Sequence, residues 1–361
     1  MRRYWVDNLR WVTVLGVLFY HVFYFYNNKG VFGGIGGFND GPQYQDVVMY
    51  IFYPWFMPML FLLAGISARY ALSKHSGKEW FKARTRKLLV PATIGLFVFH
   101  WMVGYFNTLV AEREGVLEGL PWVVKYVLCA ISGTGPLWFI QDLWLFCLLL
   151  LLIRKLDAKD KFWNLCGKSN LVVILLLGLL FWLGEHTLVM YPNPNSLDGL
   201  WNLYKPTFYV LPFLMGYFVF SHDEVQERIT KAWIPLMACA VISGVILTVT
   251  TFGEDNTSPQ YLGSPLNCLY GWLMCLAMMG WFKACFDYTG SFGQYMTRSS
   301  FGIYVVHYLF IAGLGSIMKT YTDWPPVAIY IILTVAVFIL SPLTYELLRR
   351  IPIVKWCVFG E

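Results

Sequence analysis

Asp7, Arg10 and His21 have the types and spacing for chemistry inside an apolar medium, for they sit within or at the edge of the first strongly apolar stretch. Arg10 and His21 are eleven residues apart, which at about 100° and about 1.5 Å per residue puts them within about 20° of one helical face and about 16 Å apart along it. Asp7 precedes Arg10 by three positions, a spacing at which the two side chains can meet. Ionisable groups in a membrane span are costly, usually face the bundle interior and mark a pathway or a reacting centre. A plainer reading also fits: Arg10 snorkels to the interface, and His21 is a hydrogen-bonded core histidine.

A second cluster is basic. The run Trp80-Phe81-Lys82-Ala83-Arg84-Thr85-Arg86-Lys87 stands just before an apolar stretch, with Lys82 and Arg86 four apart on one helical face. Arginine offers a rigid fork that matches phosphate oxygens, so Arg84, Arg86 and Lys87 suit a phosphate site; positive-inside anchoring to anionic lipid explains them as well. Asp142 lies one to two turns into the apolar stretch opened by Gly135-Pro136-Leu137-Trp138, and serves either function or a neighbouring cation. Tyr304 and His307 share a face at three-residue spacing, with packing as the default role. Glu185 and His186 close another apolar stretch at an interfacial level, which favours a solvated or packing role.

The elements that must hold these groups follow from composition. The 361 residues are 58% hydrophobic and 13% charged, against roughly 25% charged in soluble domains, so the chain is a membrane protein of the all-α, polytopic helix-bundle class. Ten spans are expected near 9–26, 46–71, 88–109, 136–154, 171–190, 204–221, 232–251, 265–286, 299–319 and 326–348 in a single domain over 1–361. With the N-terminus inside, 21 Lys and Arg fall on cytoplasmic segments and five (Lys29, Arg113, Lys125, Lys205, Lys319) fall outside. Both termini are therefore expected in the cytoplasm, and the net charge of +6 follows from topology without nucleic acid. The first apolar stretch lacks a small-residue cleavage pattern and is read as a retained helix. The glycine-rich loop at 27–45, with Gly30, Gly33, Gly34, Gly36 and Gly37, has no preceding strand and reads as a flexible connection; 120–132 reads as an interfacial or re-entrant piece. The outer-loop acids Glu112, Glu114, Glu118, Asp198, Glu254 and Asp255 read as solvated charges, and Trp122, Tyr191 and Trp201 as interface anchors or sugar-stacking rings. The eight cysteines form no C-x-x-C pair and read as apolar packing residues, with no metal site expected.

Taken together the motifs resemble the acyltransferase-3 family of integral membrane O-acyltransferases. The matching residues are Asp7-x-x-Arg10 with ten residues before His21, Phe61-Leu62-Leu63-Ala64-Gly65, and Lys82-x-Arg84-x-Arg86-x-Leu-Leu-x-Pro91. Leu137-Trp138-Phe139 and Gly302-Ile303-Tyr304-x-x-His307 follow in the same order. Tyr4 to Tyr26 and Lys78-Glu79-Trp80-x-Lys82 look closest to the branch that succinylates periplasmic glucans. The chain departs from the family pattern at Ala64-Gly65-Ile66, where Ser-Gly-Phe or Ser-Gly-Tyr is common, and at Pro136, near where a His often stands. No esterase-like domain is expected after residue 348.

The resemblance implies a multi-pass inner-membrane enzyme that moves an acetyl or succinyl group from cytoplasmic acyl-CoA to a hydroxyl of a glycan or other acceptor. It implies acyl-CoA phosphates on Arg84, Arg86 and Lys87, and His21 as general base. Arg10 would lie on the donor path, steadied by Asp7, with Trp138, Asp142, Tyr304 and His307 in support. No resident cofactor is expected; the partners are membrane lipid, donor and acceptor, and homo-oligomerisation is left open. The rival from another class is a secondary transporter of a small polar or anionic solute, which would show repeats between halves and has no need of the Arg10–His21 pair.

Overall fold

Apolar runs bounded by proline, glycine and charge fold here as helices. The computed structural model describes residues 3–27, 34–110, 117–188 and 205–361, and no strand occurs among them. Expectations on Lys29, Gly30, Gly33, Glu112, Arg113, Glu114, Tyr191, Asp198 and Trp201 lie outside the described residues. The α-helices are α1 (Tyr4–Tyr24), α2 (Val47–Leu72), α3 (Gly77–Arg84), α4 (Trp101–Val110), α5 (Trp122–Ser132), α6 (Trp138–Leu156), α7 (Lys161–Cys166), and α8 (Leu171–Leu188). They continue with α9 (Pro206–Phe218), α10 (Asp223–Lys231), α11 (Trp233–Thr251), α12 (Pro259–Leu262), α13 (Pro265–Cys285), α14 (Ser291–Tyr321), α15 (Pro326–Leu348) and α16 (Pro352–Phe359). Five of them begin at a proline, whose missing N–H costs nothing in the first turn and whose fixed φ suits a helix start.

Six stretches among the described residues are long and apolar enough to cross a membrane: Tyr44–Leu72, Gly135–Leu156, Trp233–Thr251, Pro265–Cys285, Ser291–Tyr321 and Pro326–Leu348. The chain is thus a multi-pass membrane protein. Val327, Ile331, Val335, Ile339, Leu343 and Leu347 recur every fourth residue of α15 and are all exposed, a stripe that only lipid would solvate. The other four expected spans differ in form. The stretch 88–109 is no continuous α-helix: π turns at Thr85–Leu89 and Leu96–His100 interrupt it, leaving α4 with ten residues. Pro91 between them supplies no N–H, and a π turn is a common relief for such a break. α9 has 13 residues, α8 has 18, and α1 is 21 residues long but carries Asp7, Arg10 and His21.

The chain clusters into two compact units. The first comprises Met1–Thr13, Tyr50–Lys82 and Leu145–Thr297. In it α2 and α9 meet backbone to backbone: a Cβ on Gly65 would collide with the Phe213 carbonyl, and one on Gly216 with that of Leu62. Small residues at a crossing allow this approach, which replaces the missing hydrophobic drive between helices in lipid with close packing. The start of α1 is tied to the turn after α13, where Asn8 Nδ2 donates to the carbonyls of Phe286 (2.7 Å) and Tyr288 (2.8 Å).

The second unit comprises Val14–Met49, Ala83–Trp144 and Arg298–Glu361. Here α4 and α5 close on one another through Gly104, whose Cβ would strike the Cys129 carbonyl, and Gly133, whose Cβ would strike that of His100. The end of α1 is fixed on α14 because Gly315 leaves room for Phe25 and Tyr26, and the Tyr26 hydroxyl donates to the Gly315 carbonyl at 3.0 Å.

Candidate functional site

In the first unit, Asp7 and Arg10 meet as their spacing requires. Arg10 Nη1 donates to Asp7 Oδ1 at 3.0 Å, and Arg10 Nη2 donates to Ser67 Oγ on α2 at 2.6 Å. The Arg10 side chain is about one-third exposed, and these contacts orient its guanidinium.

In the second unit, the packing of Tyr26 on Gly315 brings His21 to His307. His21 Nδ1 and His307 Nε2 are 2.9 Å apart, with the rings nearly parallel at 20°. His307 is fully buried, and its Nδ1 lies 2.6 Å from the Tyr304 carbonyl one turn back on α14. That carbonyl can only accept, so His307 Nδ1 carries a proton and, in a neutral ring, its Nε2 carries the lone pair. His21 Nδ1 must then donate, and in a neutral His21 the lone pair falls on Nε2. The order carbonyl, imidazole, imidazole fixes which nitrogen of His21 can take up a proton. The Tyr308 ring meets His21 edge-on at 5.4 Å and limits its rotation. Tyr304 gives its single O–H to the carbonyl of Pro136, at the turn that opens α6. Its hydroxyl thus holds α14 against that turn, and the Phe139 ring packs on it at 6.0 Å.

The other expected site residues are spread more widely within this unit. Arg86 is exposed and Arg84 half-buried at the junction of α3 with the first π turn. Lys87 turns to the other end of the chain: its Nζ is 2.8 Å from Glu361 Oε1 and 4.6 Å from the centre of the Phe301 ring. Burial pushes the Lys87 ammonium below its usual range, while Glu361 pulls it back. Gly360, in the left-handed region at φ +63°, lets the backbone after α16 lie against the Arg86 carbonyl. Trp138 is half-buried beside Phe139, and Asp142 is buried with Oδ2 lacking a hydrogen-bond partner. Among the described residues, no three His, Cys, Asp or Glu side chains are grouped to hold a metal ion.

Two features escaped the reading of motifs. His100, the last residue of the second π turn, is fully buried with neither ring nitrogen hydrogen-bonded. Its signal was an imidazole inside the apolar run Leu96–Trp101, the same argument that singled out His21. Glu185 is not solvated. It is buried in the first unit, 2.6 Å from Lys205 Nζ, and Lys205 is itself buried although its position suggested an outer loop. Twenty residues separate the two, so nothing local pointed to the pair.

The family model described as an acyltransferase domain, the third of that designation, matches residues 3–346. No curated protein and no solved structure matches the chain.

Proposed function

The chain belongs to the acyltransferase-3 family, so it is a membrane acyltransferase, and from that premise we propose that it transfers an acetyl or succinyl group from cytoplasmic acyl-CoA to a glycan hydroxyl, with His21 as general base. The observation that carries the assignment of the base is the proton order set by the Tyr304 carbonyl, His307 and His21. His21 Nε2 accepts the proton of the acceptor hydroxyl as its oxygen attacks the thioester carbonyl. Collapse of the tetrahedral oxyanion breaks the C–S bond and releases the CoA thiolate, which takes up the proton that the imidazolium gives back. His307 positions the imidazole and disperses the charge that forms on it. Asp142 and Trp138 would support the site from α6, and Tyr304 supports the turn at Pro136.

Arg84 and Arg86 would take the phosphates of the donor as bidentate partners, with Lys87 adding charge when it leaves Glu361. Arg10, held by Asp7, would steady the donor's passage. A single domain of ten spans in an inner membrane, with both termini cytoplasmic, accommodates a donor from inside and an acceptor outside; the count of basic residues supports that orientation. The acceptor of the resembling branch is a periplasmic glucan, and this chain's acceptor is proposed to be of that class. The transporter reading has no comparable support once the family match is in place.

The test is thioester loss from labelled acetyl-CoA and succinyl-CoA by the protein purified in detergent. Turnover of one donor is expected, falling by about 100–10,000-fold in His21→Ala, the usual worth of a general base. Equal turnover in both proteins would remove His21 from the chemistry.

A further inference from the structure

In the second unit α16 ends against the basic run, and its seat is closely fitted. Gly95 admits the Cys357 carbonyl, which a Cβ there would meet at 2.9 Å. The Phe359 ring packs on that of Tyr345 at 5.1 Å, and Cys357, Val358 and Phe359 are all buried. Gly360 then turns the chain through the left-handed region, where a Cβ would strike the Arg86 carbonyl. That turn delivers the Glu361 side chain to Lys87.

The contact is unequal in charge. Glu361 Oε1 lies 2.8 Å from Lys87 Nζ, and Oε2 lies 3.9 Å from Lys355 Nζ. One carboxylate thus faces two ammonium groups, with the exposed Arg86 next in sequence to Lys87. The Lys87 and Glu361 side chains are 29% and 23% exposed, so the pair is open to solution. An ion pair of that exposure contributes little and is readily exchanged for a stronger one. A phosphate monoester carries nearly two negative charges and three acceptor oxygens, and so matches two ammonium groups better than one carboxylate does.

We infer that Glu361 is a built-in competitor for the donor's phosphate: it holds Lys87 until a phosphate displaces it, and so sets how tightly the donor binds. The inference rests on the reading of Arg84, Arg86 and Lys87 as the donor-phosphate site, and adds to it a residue that no motif indicated.

Calorimetric titration of CoA into the full chain in lipid nanodiscs reads the competition directly. Glu361→Gln is expected to tighten CoA binding about three- to fivefold, the upper range for a partly exposed pair. Gly360→Ala unseats the same carboxylate without changing the charge, and should also tighten binding in preparations whose melting profile matches wild type. With Lys87→Gln in place, Glu361→Gln should change nothing, because the ammonium in contention is gone. Glu346→Gln removes a carboxylate that pairs with Arg349 instead, and should leave binding unchanged. An equal gain in Glu346→Gln, a gain that survives Lys87→Gln, or unchanged binding in both Glu361→Gln and Gly360→Ala would overturn the competitor and leave the donor site standing. Absence of CoA binding in every protein would overturn the donor-phosphate site itself, and the competitor with it.

Discussion

A histidine whose neighbour is another histidine is an unusual base, and its use depends on the third group in line. The Tyr304 carbonyl sets the proton on His307 Nδ1, which makes His307 Nε2 an acceptor for His21. His307→Leu deletes that acceptor and releases His21 to rotate, so kcat should fall by about 10–100-fold, the usual cost of losing a group that orients a working imidazole. His307→Gln keeps an amide oxygen able to accept from His21 and should recover part of the loss. KM for the acyl donor should stay the same in both, since neither touches the basic run. Steady-state kinetics of the two variants decide it: equal losses in Leu and Gln, or a change confined to KM, would remove His307 from this role. The types and spacing of His21 and His307 were legible in the chain, but not that they meet. That contact arises from Gly315 admitting Phe25 and Tyr26, a tertiary event that no local pattern encodes.

At the level of elements, the first unit depends on one helix crossing. Gly65 and Gly216 face each other's backbones, so a methyl group at either must push α2 from α9. Gly65→Ala and Gly216→Ala should each destabilise by about 1–3 kcal/mol, the range for overpacking. Gly290→Ala, where no atom lies within 4 Å of the added carbon, serves as control. Thermal unfolding in detergent should show lower Tm for the first two and an unchanged value for the third; an unchanged Tm for Gly65→Ala would mean that the crossing yields. Gly65 stood out in sequence as part of a motif, whereas its partner on α9 did not, because close approach leaves no mark on the spacing of either helix. Helix-forming stretches were readable from apolar runs and proline starts. The interruption of 88–109 was not drawn from them, although Pro91 and Gly95 were its signal.

For the molecule as a whole, the distribution of Lys and Arg makes a directional claim that chemistry can check. Cys285 is exposed at the end of α13, two residues after Lys283 on a segment read as cytoplasmic. A membrane-impermeant maleimide should therefore label wild type more than Cys285→Ser in inside-out vesicles, and equally in intact spheroplasts. The reverse pattern would invert the orientation and put the basic run of α3 on the wrong side for a cytoplasmic donor. Membrane character was plain from the low charge content. What each charged residue does was less so: Lys319, counted as an outer-loop cation, is held by the carbonyls of Gly36 and Gly37 at 2.6 and 2.8 Å. Glycine-rich loops present backbone oxygens, but the cation they bind comes from the far end of the chain.

The π turn at Leu96–His100 has a consequence for how this segment tolerates change. Such a turn is an α-helical turn carrying one residue too many. Deleting one of the five would remove the excess and restore a regular turn, with the helix beyond it still in phase. Deleting a residue from the regular part, between Trp101 and Val103, would instead rotate everything beyond by about 100° and draw it back by about 1.5 Å. Gly104 would then leave the Cys129 carbonyl, and a side chain would face α5 in its place. The π turn is thus the one place in this stretch where a lost codon should be absorbed, whereas the same loss one turn later should not.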